Sequence, residues 1–367
     1  MIPVNEPLLD GNELKYVSDC VTSGWISSAG KYISDFENKW ADYCGMNHGI
    51  SVCNGTVALE LAVEIFDFPE GSEIILPSFT IISCAQAITG AGCVPVVVDC
   101  DPYTWCMDVN QIEAVSTPKT KAIMPVHIYG HAVDMDPLMD LAKKRNLIVI
   151  EDAAEVHGAE YKGKKCGGFG DVSCFSFFAN KIITTGEGGM ILTNNDIVAE
   201  KLRSCRNLCF QSKQRFLHEE IGHNFRFTNM QAALGLAQLE RIEKFVERKR
   251  EMARLYNEGL ASLPIQLPVE KPWAKNVFWM YGIVFDEKTG IDAKGMADRL
   301  REIGVETRPF FLGMHEQPVF KKMGLFANLS LPVTERIARQ GLYLPSGQAI
   351  TDEQIEEVIQ SVLRVLA

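Results

Sequence analysis

The sequence lacks an excess of positive charge and any apolar run long enough to cross a membrane. Its 367 residues include 36 Lys and Arg against 47 Asp and Glu, a formal net charge of -11. That sign disfavours a protein whose main task is to bind nucleic acid or an anionic membrane. No apolar run approaches the roughly 18–20 residues of a membrane span, and residues 1–6 lack the basic and apolar regions of a signal peptide. We therefore expect a cytoplasmic protein.

The usual patterns of structural cysteines are also missing. The eleven cysteines are odd in number and include no Cys-x-x-Cys pair, which disfavours a disulfide framework or a zinc ribbon. Most lie in apolar stretches, as buried free thiols do. Cys205 and Cys209 are four residues apart on a predicted helix, but no His or carboxylate cluster completes a zinc site beside them. We predict no structural metal.

Short β-rich runs alternate with helical ones from Gly49 to about Asn207, which predicts a mostly parallel sheet with helices on both faces. The predicted strands are 49–53, 73–76, 94–98, 121–126, 147–151, 172–177 and 189–192. A helical pattern over 229–261 leads to a strand-like run, 278–285, and to helices over 293–303 and 352–366. We predict a large α/β domain over 1–240 and a smaller α+β domain over 241–367, linked by the helix at 229–261.

One lysine interrupts an apolar stretch at the end of a predicted strand. Lys181 follows the strand 172–177 and precedes the Gly-rich turn 186–189. Partial burial lowers the pKa of a lysine and frees its amine as a nucleophile toward an aldehyde. The alternative is a lysine whose stem packs on the core while its ammonium reaches water.

Two further strand ends carry residues that suit a flat, phosphorylated cofactor. Asp152 follows the strand 147–151, where it could hold a protonated pyridine nitrogen, although a strand-end Asp is often only a cap. Residues 54–56, Asn-Gly-Thr, lead into a helix whose N–H groups and Thr56 hydroxyl could bind a phosphate, although an ordinary N-cap gives the same pattern. No Gly-x-x-x-x-Gly-Lys-Ser/Thr motif occurs, and no Gly-x-Gly-x-x-Gly follows a strand, which disfavours nucleoside triphosphate and nicotinamide cofactors.

Together the three signals match the needs of pyridoxal 5'-phosphate (PLP): an anion anchor, a partner for the ring nitrogen and an amine that bonds to the aldehyde. Their combination is more specific than any one of them.

Over nearly its whole length the chain resembles the sugar-nucleotide aminotransferases of the DegT/DnrJ/EryC1/StrS family. The segments that carry the resemblance are 25–28, 54–56, 151–155, Lys181 with 184–189, and 222–229. The resemblance implies the PLP-dependent fold type I, or aspartate aminotransferase fold. Segments 77–83, 104–109 and 314–318 further resemble the members that convert GDP-4-keto-6-deoxymannose to GDP-perosamine, with L-glutamate as amino donor. The alternatives are amination of another UDP- or dTDP-linked 4-keto-6-deoxyhexose, or a PLP-binding regulator without activity.

The resemblance also implies roles for single residues at the cofactor. Lys181 would form the covalent bond to PLP and move protons, and Asp152 would pair with the ring nitrogen. Three residues would hold the phosphate: Gly55, Thr56 and Ser176.

Three more positions concern the rest of the cofactor and the assembly. Glu155 stands where many relatives have a Gln that faces the phenolic oxygen, so it needs a proton or another partner. Ile81 stands where many relatives stack an aromatic ring on the cofactor. Asn224 would reach the phosphate of the cofactor in a neighbouring subunit, which implies a homodimer with shared active sites.

The sugar nucleotide needs cations for its pyrophosphate and polar contacts for its hexose. The candidate substrate-binding residues are Trp25, Ser27, His157, Arg226, Arg308 and His315. Each has an ordinary alternative: surface charge for the arginines, a satisfied interior position for the histidines and a core position for the tryptophan.

Overall fold

The computed structural model describes residues 1–211 and 213–366. The α-helices of this part are α1 (Glu13–Ser23), α2 (Lys31–Cys44), α3 (Gly55–Glu64), α4 (Ile82–Gly90), α5 (Ile112–Val115), α6 (Met135–Arg145), α7 (Asp196–Cys205), α8 (Asn229–Leu239), α9 (Ile242–Leu260), α10 (Ala293–Glu302), α11 (Pro318–Lys322), α12 (Pro332–Gln340) and α13 (Asp352–Leu366). None of these helices is long and apolar enough to cross a membrane.

The strands of the same part are β1 (His48–Val52), β2 (Glu73–Pro77), β3 (Val94–Val98), β4 (Thr120–Ile123), β5 (Ile148–Asp152), β6 (Glu160–Tyr161), β7 (Lys164–Lys165), β8 (Val172–Ser176), β9 (Gly189–Thr193), β10 (Ile265–Gln266), β11 (Ala274–Lys275), β12 (Tyr281–Phe285), β13 (Arg308–Pro309) and β14 (Gly341–Leu344).

Seven strands form the main sheet, in the order β1-β9-β8-β5-β4-β2-β3. Only β9 runs antiparallel to its neighbours, β1 and β8, and the other pairs are parallel. These are the seven strands predicted from the apolar runs, with ends shifted by three residues at most. Their side chains are buried along nearly their whole length, as expected for a sheet covered by helices on both faces. The predicted mostly parallel α/β architecture is confirmed.

A second sheet of four antiparallel strands, β10-β12-β14-β13, lies in the C-terminal part. Buried apolar side chains form a large cluster around the main sheet and a smaller one among α9, α10, α13 and this second sheet. Ile2 belongs to the smaller cluster and bridges to Val305. The two clusters support a division into two domains, although Ile2 lies outside the predicted range of the smaller one, and the boundary at 240 stays a prediction.

The prediction of one continuous helix over 229–261 is wrong, because α8 ends at Leu239 and α9 begins at Ile242. Arg241 leaves the helical conformation, with φ -121° and ψ 7°. Its guanidinium pairs with Asp10 and lies 3.9 Å from Glu13. The break between α8 and α9 therefore coincides with contacts to the N-terminal segment. These contacts are remote in sequence, so the helical periodicity of 229–261 does not reveal them.

All eleven cysteines are free, and every one except the half-buried Cys53 is buried. The Sγ atoms of Cys205 and Cys209 lie 4.0 Å apart. Contrary to expectation, one carboxylate, that of the exposed Glu220, lies within 4.8 Å of both thiols. The absence of a structural metal stays a prediction.

Glu151, on β5, holds the loop between β7 and β8 through hydrogen bonds. Its fully buried carboxylate accepts hydrogen bonds from a ring nitrogen, three backbone N–H groups and a hydroxyl, which belong to His127, Gly167, Phe169, Gly170 and Ser173. Nδ1 of His127 accepts the N–H of Val133, which leaves the proton on Nε2 to donate to Glu151. Burial disfavours the carboxylate, but His127 and the N–H donors outweigh it and lower the pKa of Glu151 to about 2.

We predict that Glu151→Gln lowers the free energy of unfolding by about 2–4 kcal/mol at pH 7, because an amide cannot accept all of these hydrogen bonds. The ionised Glu151 contributes fully to the free energy of unfolding above its unfolded pKa of 4.5, and this contribution is lost as the pH falls toward 2. The difference between the two proteins should therefore shrink in acid. Urea unfolding from pH 7 to pH 3 measures it, with Glu247→Gln at an exposed site as control. Equal stability of Glu151→Gln and the parent at pH 7 would contradict this account.

Candidate active site

A cavity of about 700 Å³ lies where β5 and β8 end and where α3 begins. Open α/β sheets bind ligands at this carboxyl edge. The structure brings seven of the eight predicted cofactor-binding residues to its wall: Gly55, Thr56, Ile81, Asp152, Glu155, Ser176 and Lys181. Asn224 is exposed and is not among the lining residues.

One end of the cavity offers hydroxyl groups and the start of a helix. Asn54 caps α3 by accepting the N–H of Val57 at 3.0 Å. The hydroxyls of Thr56 and Ser83 lie 3.0 Å apart, and Ser176 also faces the cavity. A Cβ atom on Gly55 would lie 2.7 Å from the Cβ of Ser176, so only glycine permits this approach. Hydroxyls and the N-terminus of a helix together suit a phosphate.

Asp152 is the last residue of β5 and is almost completely buried. Its Oδ1 accepts the N–H of Ala154 at 3.0 Å, and its Oδ2 accepts the thiol of Cys84 at 3.1 Å. Burial raises the pKa of Asp152, although these two donors and the charge of Lys181 oppose that effect. A buried carboxylate in this setting favours a further cationic partner, and a protonated ring nitrogen in the cavity would supply one.

Lys181 and Glu155 face the same cavity and influence each other's charge. Burial lowers the pKa of Lys181, and the carboxylates of Glu155 and Asp152 oppose it. Burial raises the pKa of Glu155, while Lys181 and the N–H of Tyr129, 2.8 Å from Oε2, oppose it. Tyr129 is thus the hydrogen-bond partner that the structure gives Glu155, and Lys181 acts on Glu155 through its charge.

Part of the cavity wall is aromatic and comes from a distant part of the chain. Trp279, Phe311 and Tyr343 line it, and the Nζ of Lys181 lies 3.8 Å from the centroid of the Trp279 ring. Ile81 forms the outer rim and is 41% exposed. Sequence reasoning missed the aromatic wall because Trp279 and Tyr343 lie in or beside strands, where aromatics usually serve the core.

Sequence reasoning also missed two small polar residues of the site, Ser83 and Cys84. They occupy the first turns of α4, which begins at Ile82. The stretch before that helix, Pro77-Ser78-Phe79-Thr80, ends a parallel strand, so its position at the carboxyl edge was the available signal.

Two of the predicted substrate residues line a second cavity, of about 680 Å³. Ser27 and Arg226 lie there with three more arginines: Arg203, Arg206 and Arg215. Asn207 accepts a hydrogen bond from Arg226 at 3.0 Å and bridges to Asn224. Trp25 is 59% exposed, and its carbonyl accepts the side-chain N–H of Asn229, which also binds the carbonyl of Ser27 through its backbone N–H. Ser27 and Arg226 therefore lie on a basic surface that shares no lining residue with the first cavity.

Arg308 is exposed at the start of β13 and pairs with Glu306 at 2.6 Å. Its register partner on β14 is Tyr343, which lines the first cavity. Arg308 therefore lies near the rim of that cavity and stays a candidate substrate contact.

The structure does not bring His157 or His315 to either cavity, which corrects both predictions. His157 is fully buried among Trp40, Phe175 and Phe177. His315 is 2% exposed, and its two ring nitrogens contact Ser78 at 2.7 Å and Glu335 at 3.2 Å. Both rings are committed to internal packing, so we remove them from the substrate contacts.

Comparison with known proteins shows which family the chain belongs to. The model of the DegT/DnrJ/EryC1/StrS aminotransferase family matches residues 7–363. The chain belongs to this aminotransferase family. The GDP-perosamine synthase of Caulobacter vibrioides is 44% identical over 369 residues, which cover 100% of this chain and 98% of that protein. The GDP-perosamine synthase of Escherichia coli O157:H7 is 42% identical over 361 residues, 98% of this chain and 97% of that protein.

A solved structure agrees with the fold of this aminotransferase. The S. venezuelae DesV structure, in complex with a ketimine intermediate, superposes with a TM-score of 0.90 at 33% identity. The match covers 97% of this chain and 94% of DesV. The predicted fold class is thereby confirmed over nearly the whole chain.

We predict that His157→Phe makes the aminotransferase less sensitive to acid while its turnover changes less than about threefold. Burial lowers the pKa of His157 to about 3. Between pH 6.5 and 3 the unfolded chain therefore binds a proton that the folded chain does not, and stability falls by about 1.4 kcal/mol per pH unit. Phe does not titrate. Between pH 6.5 and 4.5 the free energy of unfolding should therefore fall by about 2–3 kcal/mol less in the variant than in the parent.

Urea unfolding at several pH values checks this, with His218→Phe at an exposed site as control. Parallel stability curves for parent and variant would contradict the buried neutral histidine. A large rise in the KM for the sugar nucleotide would restore His157 as a substrate contact.

Proposed function

We propose that this protein is a PLP-dependent aminotransferase that converts GDP-4-keto-6-deoxymannose to GDP-perosamine, with L-glutamate as amino donor. One observation carries the chemistry: a single cavity is lined by a half-buried lysine, a buried aspartate and several hydroxyl side chains. The full-length similarity to two GDP-perosamine synthases supports the choice of substrate.

The residues present fit PLP at each of its polar points. The start of α3 with the Thr56, Ser83 and Ser176 hydroxyls would hold the phosphate, and Asp152 would face the ring nitrogen. Ile81 would contact the ring with an aliphatic side chain. When bound, the cofactor supplies an aldehyde that bonds to amines and a pyridinium ring that withdraws electrons from the attached carbon.

In this proposal Lys181 is tether, base and acid in turn. Burial keeps its amine available in the neutral form, which a base requires. Its Nζ removes the α proton of glutamate in the first half-reaction and delivers a proton to C4 of the hexose in the second. Asp152, as a carboxylate, holds the ring-nitrogen proton throughout.

The charge state of Glu155 depends on the charge of Lys181. When Lys181 is an ammonium, the Glu155 carboxylate is stabilised, and when Lys181 is neutral, burial favours the protonated carboxyl. The protonated form could donate a hydrogen bond to the cofactor's phenolic oxygen, the role that the amide of Gln has in many relatives.

A homodimer explains why the predicted residues fall into two groups. Ser27 and Arg226 line the second, basic cavity, and Asn224 bridges to Asn207 beside them. None of these residues lines the first cavity of its own chain. In a two-fold dimer this surface would face the cavity of the second subunit. Asn224 would then bind the cofactor phosphate there, and Arg226 would bind the nucleotide pyrophosphate.

The substrate is tested by offering the PLP-loaded protein and L-glutamate a panel of GDP-, UDP- and dTDP-4-keto-6-deoxyhexoses. We predict that GDP-4-keto-6-deoxymannose gains an amine, detected by mass, faster than the others. Lys181→Ala should lower that rate by at least about 10²–10⁴-fold, because the proton-transferring amine is lost. Lys164→Ala, at an exposed lysine, is the matched control.

Amination of only a UDP- or dTDP-linked sugar would overturn the proposed substrate and leave the aminotransferase assignment in place. Binding of PLP without amination of any sugar would support a regulator instead. Full activity of Lys181→Ala would refute the role of the lysine.

The shared active site is tested by mixing two inactive chains. We predict that Lys181→Ala and Asn224→Ala each form homodimers of low activity. A purified hybrid dimer of the two variants should regain about half of the parent activity, because one of its two sites then contains both native residues.

No recovery in a hybrid of confirmed composition would mean that Lys181 and Asn224 serve one site within the same subunit. A control hybrid of Lys181→Ala with Asp152→Asn should stay inactive, since both residues line one cavity of one chain.

A further inference from the structure

Trp279 is fixed against Lys181 by contacts at three points. The face of its indole lies 3.8 Å from the Nζ of Lys181. Its indole N–H donates to the carbonyl of Asn180, the residue before Lys181, at 2.7 Å. Its own carbonyl accepts the ammonium of the buried Lys249 at 2.8 Å. The ring is therefore held by the backbone of the segment that carries the lysine and by α9.

The ring is also the group that the structure places against the amine of Lys181. Within residues 1–211 and 213–366, no hydrogen bond and no ion pair within 4.0 Å reaches the Nζ of Lys181. An ammonium over an aromatic face is stabilised by the negative electrostatic potential of the ring, and more so where water is excluded. The Trp279 face thus stabilises the charged form and fixes the amine at one wall of the cavity.

We infer that Trp279 is a positioning residue for Lys181, the aromatic surface on which its amine rests whenever it is not bonded to the cofactor. The inference rests on the proposed role of Lys181 as tether and base. An amine that would leave the cofactor and return to it needs a defined place, and the indole face provides one inside the cavity. The ring also counteracts burial, so that Lys181 can take up a proton and later release it.

The other groups that act on Lys181 come from the sheet edge and from α4. They are Glu155, Asp152 and Cys84, which favour its charged form, and the charge of Lys181 also acts on His157. Trp279→Phe keeps an aromatic face but removes the N–H that binds Asn180, as Trp279→Leu also does. The difference between these two variants therefore reports the effect of the ring face on Lys181.

The test measures Lys181 in the cofactor-free full-length protein, by acetic anhydride labelling as a function of pH with peptide mass spectrometry. Trp279→Leu should lower the labelling midpoint of Lys181 by about 0.5–1 pH unit, so that the neutral amine is about three- to tenfold more abundant below the midpoint. Trp279→Phe keeps an aromatic face and should shift the midpoint by less than half as much. Trp273→Leu, a tryptophan packed on His131 and Tyr161, is the control and should shift nothing.

The midpoint is used rather than the rate because a smaller side chain also alters access of the reagent. If Trp279→Leu does not fold, Trp279→Met replaces it with the same expectation. An unchanged midpoint in the aliphatic variant, or equal shifts for Leu and Phe, would overturn the inference. Absence of amination by the parent protein would refute the proposed function alone, because the labelling needs neither cofactor nor substrate.

Discussion

The candidate site depends on three ionisable groups that meet at the carboxyl edge of one sheet. Asp152, Glu155 and Lys181 share a cavity in which burial disfavours the charge of each. Their opposite signs offset part of that cost, and a cationic ring nitrogen with an anionic phosphate would complete the balance. Burial, which disfavours these charges, also lowers the pKa of Lys181 and so favours its neutral amine.

The rest of the fold serves to hold these groups in place. Parallel strands deliver Asp152 and Ser176 to the same edge, and the Glu151 network ties the intervening loop to the back of that edge. The C-terminal part contributes the aromatic wall, with Trp279 beside Lys181 and Tyr343 across from Arg308. The cavity is therefore assembled from segments more than a hundred residues apart.

The fold and the chemical centre of the site could be predicted from sequence because their signals are local. Strands buried on both faces appear as continuous apolar runs, and Lys181 and Asp152 stand at the ends of such runs. The remaining features depend on contacts between distant segments. The helix break at Arg241 goes with its pairing to Asp10, His315 is buried by Ser78 and Glu335, and Trp279 reaches the cavity through tertiary packing. No periodicity in one segment carries that information.

The central claim is that the amine of Lys181 bonds to the PLP aldehyde. The most direct test is to treat the PLP-loaded protein with sodium borohydride, which makes such a bond permanent, and to map the modified peptide by mass spectrometry. The account predicts a single pyridoxyl adduct on Lys181. An adduct on another lysine, or a cofactor that is removed intact by dialysis after the treatment, would contradict it.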